Sequence, residues 1–153
     1  MTTLISIDPG KASGVAQFRD GVLCACDIYE IAKNEICLFS LDVLVIEIPQ
    51  VYPVRAWKGD PNDLIEVARI AGVWEGLFTS HNYRHMPTSI IDVVHVRPHE
   101  WKGNRPKDVD NAYTLSKLTD AERAVIDKAQ IPKSKLHNAI DAVGIGLWYL
   151  NRR

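Results

Sequence analysis

LISIDPGKASGVAQFRDGVLCACDI, residues Leu4 to Ile28, is the stretch whose reading decides the fold. From Leu4 to Asp8 the side chains alternate in character with β-branched residues recurring, and the run stops at Pro9-Gly10. This predicts a strand ending in a sharp turn. A second strand is expected from about Gly14 to Phe18, and Asp20-Gly21 is a hairpin signal. Val22 to Ile28 alternates again, so the first third of the chain predicts an antiparallel three-strand meander.

Working outward, Glu30 to Ser40 has a helical pattern. DVLVIEI, Asp42 to Ile48, is a nearly continuous apolar run of the kind that forms a central strand covered on both faces, interrupted by Glu47. Pro49 to Pro61 carries three prolines plus Gly59, Tyr52 and Trp57, and predicts an irregular connection. Asp63 opens a helix in which Leu64, Val67, Ala68, Ala71, Trp74, Glu75 and Phe78 recur at three- and four-residue spacing. Ile90 to Val96 is the last strand expected. Helices are expected at Pro106 to Lys117, at Asp120 to Ala129, and at Leu136 to Leu150, the most apolar of them.

With 153 residues and 46% hydrophobic content, one domain spanning residues 1–153 is expected, large enough to bury a continuous core. No run of about 18 apolar residues is present, and MTTLISIDPG lacks the basic-then-apolar order of a secretory signal. A soluble, cytoplasmic protein with no membrane partner is therefore expected. Cys24, Cys26 and Cys37 are an odd set and read as reduced thiols, with Cys24 and Cys26 on one strand face. Trp74, Trp148 and Tyr149 read as packing residues.

A formal net charge of -1 gives no global attraction for polyanions, so any affinity for nucleic acid must come from local positive charge. Arg97, Lys102, Arg105 and Lys107 stand against Glu100 alone, with His99 and Trp101 interleaved and Gly103 and Pro106 as breakers. This stretch reads as a basic surface loop.

Three carboxylates occupy positions where an apolar residue is the ordinary choice. Asp8 ends the first strand, Glu47 ends the apolar strand, and Asp141 lies inside the last helix between Ile140 and Ala142. Burying unpaired carboxylates is costly, and convergence on a shared cation removes that cost. An oxygen-rich set favours Mg2+ or Mn2+, and two such ions orient a water and stabilise the leaving oxygen of a phosphodiester. His137 and Asn138 precede Asp141 by one helical turn, so either is in reach of the metal shell or of a proton.

Four segments together resemble the RuvC-like Holliday junction resolvases, in particular their bacteriophage branch. ISIDPGKASGVAQF (Ile5 to Phe18) resembles the family's first strand, catalytic Asp and turn, and VIEIPQVY (Val45 to Tyr52) the strand bearing its Glu. VARIAGVWEG (Val67 to Gly76) resembles the dimer-forming helix, and HNAIDAVGIGLWYL (His137 to Leu150) the acidic last helix. The resemblance implies a ribonuclease H-like α/β fold: a mixed central sheet, the meander plus parallel strands, flanked by helices on both faces. It implies a homodimeric endonuclease that nicks two opposed strands of a four-way DNA junction, leaving 5′-phosphate and 3′-hydroxyl ends.

By the same resemblance Asp8, Glu47 and Asp141 hold Mg2+, with Mn2+ as a substitute and two ions per site. Many relatives place an Asp where this chain has Asn138, and others use a histidine nearby, where His137 stands. The fourth position is thus open between an Asn138 ligand and a His137 proton acceptor. Val67, Ile70, Ala71 and Trp74 are expected at the dimer interface. Tyr52 and Trp57 are expected to stack on unpaired bases, and Lys11, Arg55, Lys58, Lys102 and Lys107 to meet phosphates.

DPGKASG also resembles the phosphate turn of actin-like ATPases and sugar kinases. Those proteins clamp nucleotide between two such domains, so no nucleotide cofactor is expected for a single one. A non-catalytic junction-binding protein leaves the three acids unexplained. Within nucleases, a broader flap or branched-DNA endonuclease stays open beside a dedicated junction resolvase.

Overall fold

The computed structural model describes residues 1–31, 41–51, 60–85 and 91–153, with 81–85 described by their backbone. Chain order is β1 (Thr3–Asp8), β2 (Ser13–Arg19), β3 (Val22–Tyr29), β4 (Val43–Glu47), α1 (Pro61–His85), β5 (Asp92–Val96), α2 (Pro98–Trp101), α3 (Lys107–Ser116), α4 (Asp120–Lys128) and α5 (Leu136–Tyr149). The five strands form one sheet in the order β3-β2-β1-β4-β5. β1, β2 and β3 pair antiparallel, while β4 runs parallel to β1 and β5 parallel to β4. The expected meander and mixed sheet are both present. Asp20 and Gly21 take φ of 48° and 80°, the positive values that a two-residue hairpin loop requires.

Strand alternation divides the core into two layers. Ile5, Ile7, Leu44 and Ile46 face α1, where they bury Ile70, Ala71, Trp74 and Phe78. Leu4, Val43, Val45, Ala16, Phe18 and Val96 face the other way, onto Ala142, Val143, Ile145 and Leu147 of α5, with α3 and α4 completing that layer. Helices therefore cover both faces. α5 lies directly on the strands because β2 carries Gly14: a β-carbon there would run into the main-chain carbonyl of Asn138.

Three expectations are corrected. Ile70, Ala71 and Trp74 are buried in the chain's own core, Trp74 at 1% exposure with its indole N–H donated to Ser13 Oγ at 3.0 Å, so they are not a free dimer surface. Val67 is half-buried, and the face of α1 turned outward is Ile65, Ala68, Gly72 and Gly76. Cys24 and Cys26 do not share a face. The β2–β3 register shifts between Gln17 and Phe18, so Cys24 is the extra residue of a bulge and is exposed, while Cys26 is buried with Leu23.

The third correction lies in the basic stretch, which is not all loop. Pro98 starts the short helix α2, and Glu100 accepts from the Arg97 backbone N–H at 2.6 Å. Gly103 and Pro106, read as breakers, both follow this helical turn, which buries Trp101. Of the helix expected from Glu30, residues 30 and 31 are not helical and the remainder lies outside the described residues, as does Cys37. Among the described residues no helix is long and apolar enough to cross a membrane.

Candidate metal centre

Parity along the strands brings two of the three acids to one place. Leu4 and Ser6 face α5, and Asp8 follows at the same two-residue step; Val43 and Val45 face α5, and Glu47 follows likewise. The parallel register pairs Ser6 with Val45 and Ile7 with Ile46, and one more step sets Asp8 beside Glu47 at the ends of adjacent strands. α5 crosses this face with Ser6 Oγ donating to the Ala142 carbonyl at 2.7 Å, one residue beyond Asp141. Asp141 is 7% exposed, and Asp8 and Glu47 are half-buried.

The three groups act on one another. Burial, then the negative charges of Glu47 and Asp141, holds the Asp8 carboxyl well above the ordinary carboxylate range, against the pull of Lys102 and Lys107. Burial also raises Glu47 and Asp141, and in each case Lys102 is the strongest opposing influence. Asp141 is further raised by Asp110 and lowered by His137. The acids are thus electrostatic neighbours. Among the described residues no three His, Cys, Asp or Glu side chains stand close enough together to hold a metal ion by themselves.

Around them, His137 is half-buried and near enough to act on Asp141. Asn138 uses its amide N–H to hold the β1–β2 turn, donating to the Ala12 carbonyl at 2.8 Å. Lys102 is half-buried, its Nζ 4.8 Å from the centre of the Trp101 ring, while Lys107 is exposed at the start of α3. Lys11 is exposed and 3.5 Å from Glu66 of α1. Tyr52, Arg55, Trp57 and Lys58 lie outside the described residues.

Sequence reasoning missed Trp101 as a partner of the acids. Its indole N–H donates to Glu47 Oε2 at 2.5 Å. The local signal was available in Pro98 and Glu100, which mark a helix start. It also missed the buried Asp110, which pairs with Arg105 (2.9 Å), five residues before it, and with Arg153, a partner too far along the chain for any local pattern to reveal.

No family model matches the chain, and no curated protein matches it in sequence. Solved structures do. The fowlpox virus Holliday junction resolvase aligns with a TM-score of 0.57 at 16% identity, covering 98% of this chain and 98% of that one. The fowlpox resolvase complexed with substrate Holliday junction DNA gives 0.58 at 18%, covering 98% and 97%. T. thermophilus RuvC in complex with a Holliday junction substrate gives 0.58 at 14%, covering 98% and 93%. At such identities the likeness is one of architecture: the chain has the ribonuclease H-like fold of these resolvases, with the same mixed sheet between helices.

Proposed function

We propose that this chain is a Holliday junction resolvase, a metal-dependent endonuclease that makes paired, symmetric nicks in four-way DNA. One observation carries the reading: Asp8 and Glu47 end the adjacent strands β1 and β4 on the face that α5 crosses, and Asp141 of α5 is near enough to raise the proton affinity of both, in a fold with two resolvases among its solved examples. Buried like charges of this kind call for positive charge.

The chemistry of the donor set, carboxylate oxygen throughout, suits a hard divalent ion. Mg2+ keeps several of its waters and takes only one or two carboxylates directly, so an open set of acids suits it better than a closed cage. Asp8, Glu47 and Asp141 would hold two such ions, Mg2+ or Mn2+, with Asn138 or His137 at the fourth position. Bound there, the ions would supply Lewis acidity that makes water nucleophilic near neutral pH and neutralises charge on the phosphate. His137, beside Asp141, is suited to accept a proton. Lys102, Lys107 and Lys11 would meet phosphates, as would Arg55 and Lys58, and Tyr52 and Trp57 would stack on bases near the crossover. The working compartment would be the cytoplasm of a bacterium or an infected host.

A homodimer suits a substrate whose exchanging strands are related by a pseudo-two-fold axis. Its interface would be the outward face of α1. Gly72 and Gly76 are exposed, and a β-carbon at either would meet nothing within 4 Å. Each glycine costs a helix interior about 1 kcal/mol relative to Ala. Nothing among the described residues requires them, whereas close approach of a second helix would. Ile65, 68% exposed on that same face, adds apolar surface.

The test is a synthetic four-way junction incubated with the protein and Mg2+ or Mn2+. Paired nicks at symmetric positions are expected, with Asp8→Asn and Glu47→Gln abolishing cleavage while junction binding persists. Faster cutting of flaps than of junctions would replace the specific claim with a broader branched-DNA nuclease. Binding without metal-dependent cleavage would leave only a junction-binding protein.

A further inference from the structure

Among the described residues, Glu47 is the one proposed metal-holding acid with a hydrogen-bond partner from outside the acidic set. The donor, Trp101, is 2% exposed and is itself held on a buried polar cluster. The Arg153 guanidinium stacks on its ring, 4.6 Å from the centre. That guanidinium, with its side chain 4% exposed, donates to Thr114 Oγ at 2.9 Å and pairs with Asp110, both on α3. Space for the stack comes from Gly144 of α5. A β-carbon there would collide with the Arg153 guanidinium and approach Trp101 Cζ3 to 2.8 Å and Thr114 Oγ1 to 3.1 Å. Residues of α2, α3 and α5 with Arg153 thus converge on a single indole, whose N–H ends on a single carboxylate oxygen.

We propose that Trp101 is a positioning residue for Glu47, and that Arg153, tied to Asp110 and Thr114, holds the indole in place. A carboxylate at a strand end swings freely about its side-chain torsions. One bond to Oε2 removes that freedom and leaves Oε1 as the oxygen outside the bond. Outer-shell partners of this kind orient a metal ligand without touching the ion, and their loss typically costs about 10–100-fold in metal affinity or activity. The proposal rests on the preceding reading only for what Glu47 holds. The bland alternative is that Trp101 merely fills the core under α5, in which case the ring matters and its N–H does not.

The experiment separates ring from N–H. Trp101→Phe keeps an aromatic ring and removes the donor, and benzothienylalanine at the same position keeps the full bicyclic shape with sulfur in place of N–H. In both variants the affinity for Mn2+, titrated by calorimetry without DNA, is expected to fall by about 10–100-fold. Junction cleavage is expected to lose kcat with KM unchanged. In the intact metal-free protein, the Trp101 indole N–H resonance, assigned by its disappearance in Trp101→Phe, is expected to move on Glu47→Gln. Unchanged Mn2+ affinity in the benzothienylalanine protein, or an indole signal indifferent to Glu47→Gln, overturns the proposal. A protein that shows both effects yet cuts no junction would retire the nuclease reading and keep this one. Normal cleavage with Mn2+ affinity unmoved would do the reverse.

Discussion

At the scale of single residues, a carboxylate is legible in sequence when it interrupts an apolar pattern, and illegible when its reason lies far along the chain. Asp8, Glu47 and Asp141 belong to the first kind, since each stands where strand or helix alternation calls for an apolar side chain. Glu122 belongs to the second. It lies in the first turn of α4 and is 1% exposed. Its carboxylate receives both Arg152 Nη groups at 2.8 Å and the backbone N–H groups of Leu23 and Thr119 at 3.0 Å. The Arg152 pairing, with help from those N–H groups, lowers its pKa from 4.5 to about 2. A depressed folded-state value means that the stabilisation is full above pH 4.5 and is lost as pH falls through about 2. Glu122→Gln is expected to cost on the order of 3 kcal/mol at pH 7. In urea unfolding the gap between the two proteins should close between pH 4.5 and pH 2, and a gap constant over that window would show that the carboxylate charge is not the stabilising element.

At the scale of an element, helical periodicity locates α1 but does not say which side of it looks inward. The periodic set Val67, Ala71 and Trp74 suits a core and a dimer interface equally well, and Ile65, Ala68 and Gly72 put further apolar and small residues on the other side. The sheet decides, because Ile5, Ile7, Leu44 and Ile46 take the Trp74 side. The same ambiguity misassigned Cys24 and Cys26: a bulge shifts the phase of β3, and no residue there announces it. These two sides of α1 make opposite predictions. Gly72→Arg places a charged side chain in open space, so thermal unfolding of the monomer should be unchanged or slightly improved by the better helix former. The proposed dimer should fall to monomer in sedimentation, and junctions should receive single rather than paired nicks. Trp74→Ala should instead cost about 3–5 kcal/mol through the cavity it opens. A dimer that survives Gly72→Arg would move the interface off this face.

At the scale of the whole molecule, the meander and the last helix were both readable, yet their contact was not. Sequence patterns describe each segment against an unspecified partner, and only the folded topology sets α5 across β1 and β2 with Asp141 above the ends of β1 and β4. Gly14 is where that arrangement is most exposed to change. A methyl group there meets the carbonyl of Asn138 and comes within 3.0 Å of the Ala139 nitrogen, and both are backbone atoms that no rotamer change can withdraw. Gly14→Ala must therefore lift the first turn of α5 from the sheet, straining the Asn138 to Ala12 hydrogen bond and shifting Asp141 relative to Asp8 and Glu47. Overpacking of this sort costs about 1–3 kcal/mol, so urea unfolding should show a lower midpoint with an unchanged slope. The larger effect should be chemical, because a displacement of about 1 Å among reacting groups costs on the order of 100-fold. Single-turnover junction cleavage, measured well below the unfolding transition so that the variant is fully folded, should fall by about that factor. If the midpoint drops while cleavage per folded molecule stays at the wild-type level, α5 does not set the geometry of the acids, and Asp141 cannot have the role proposed for it.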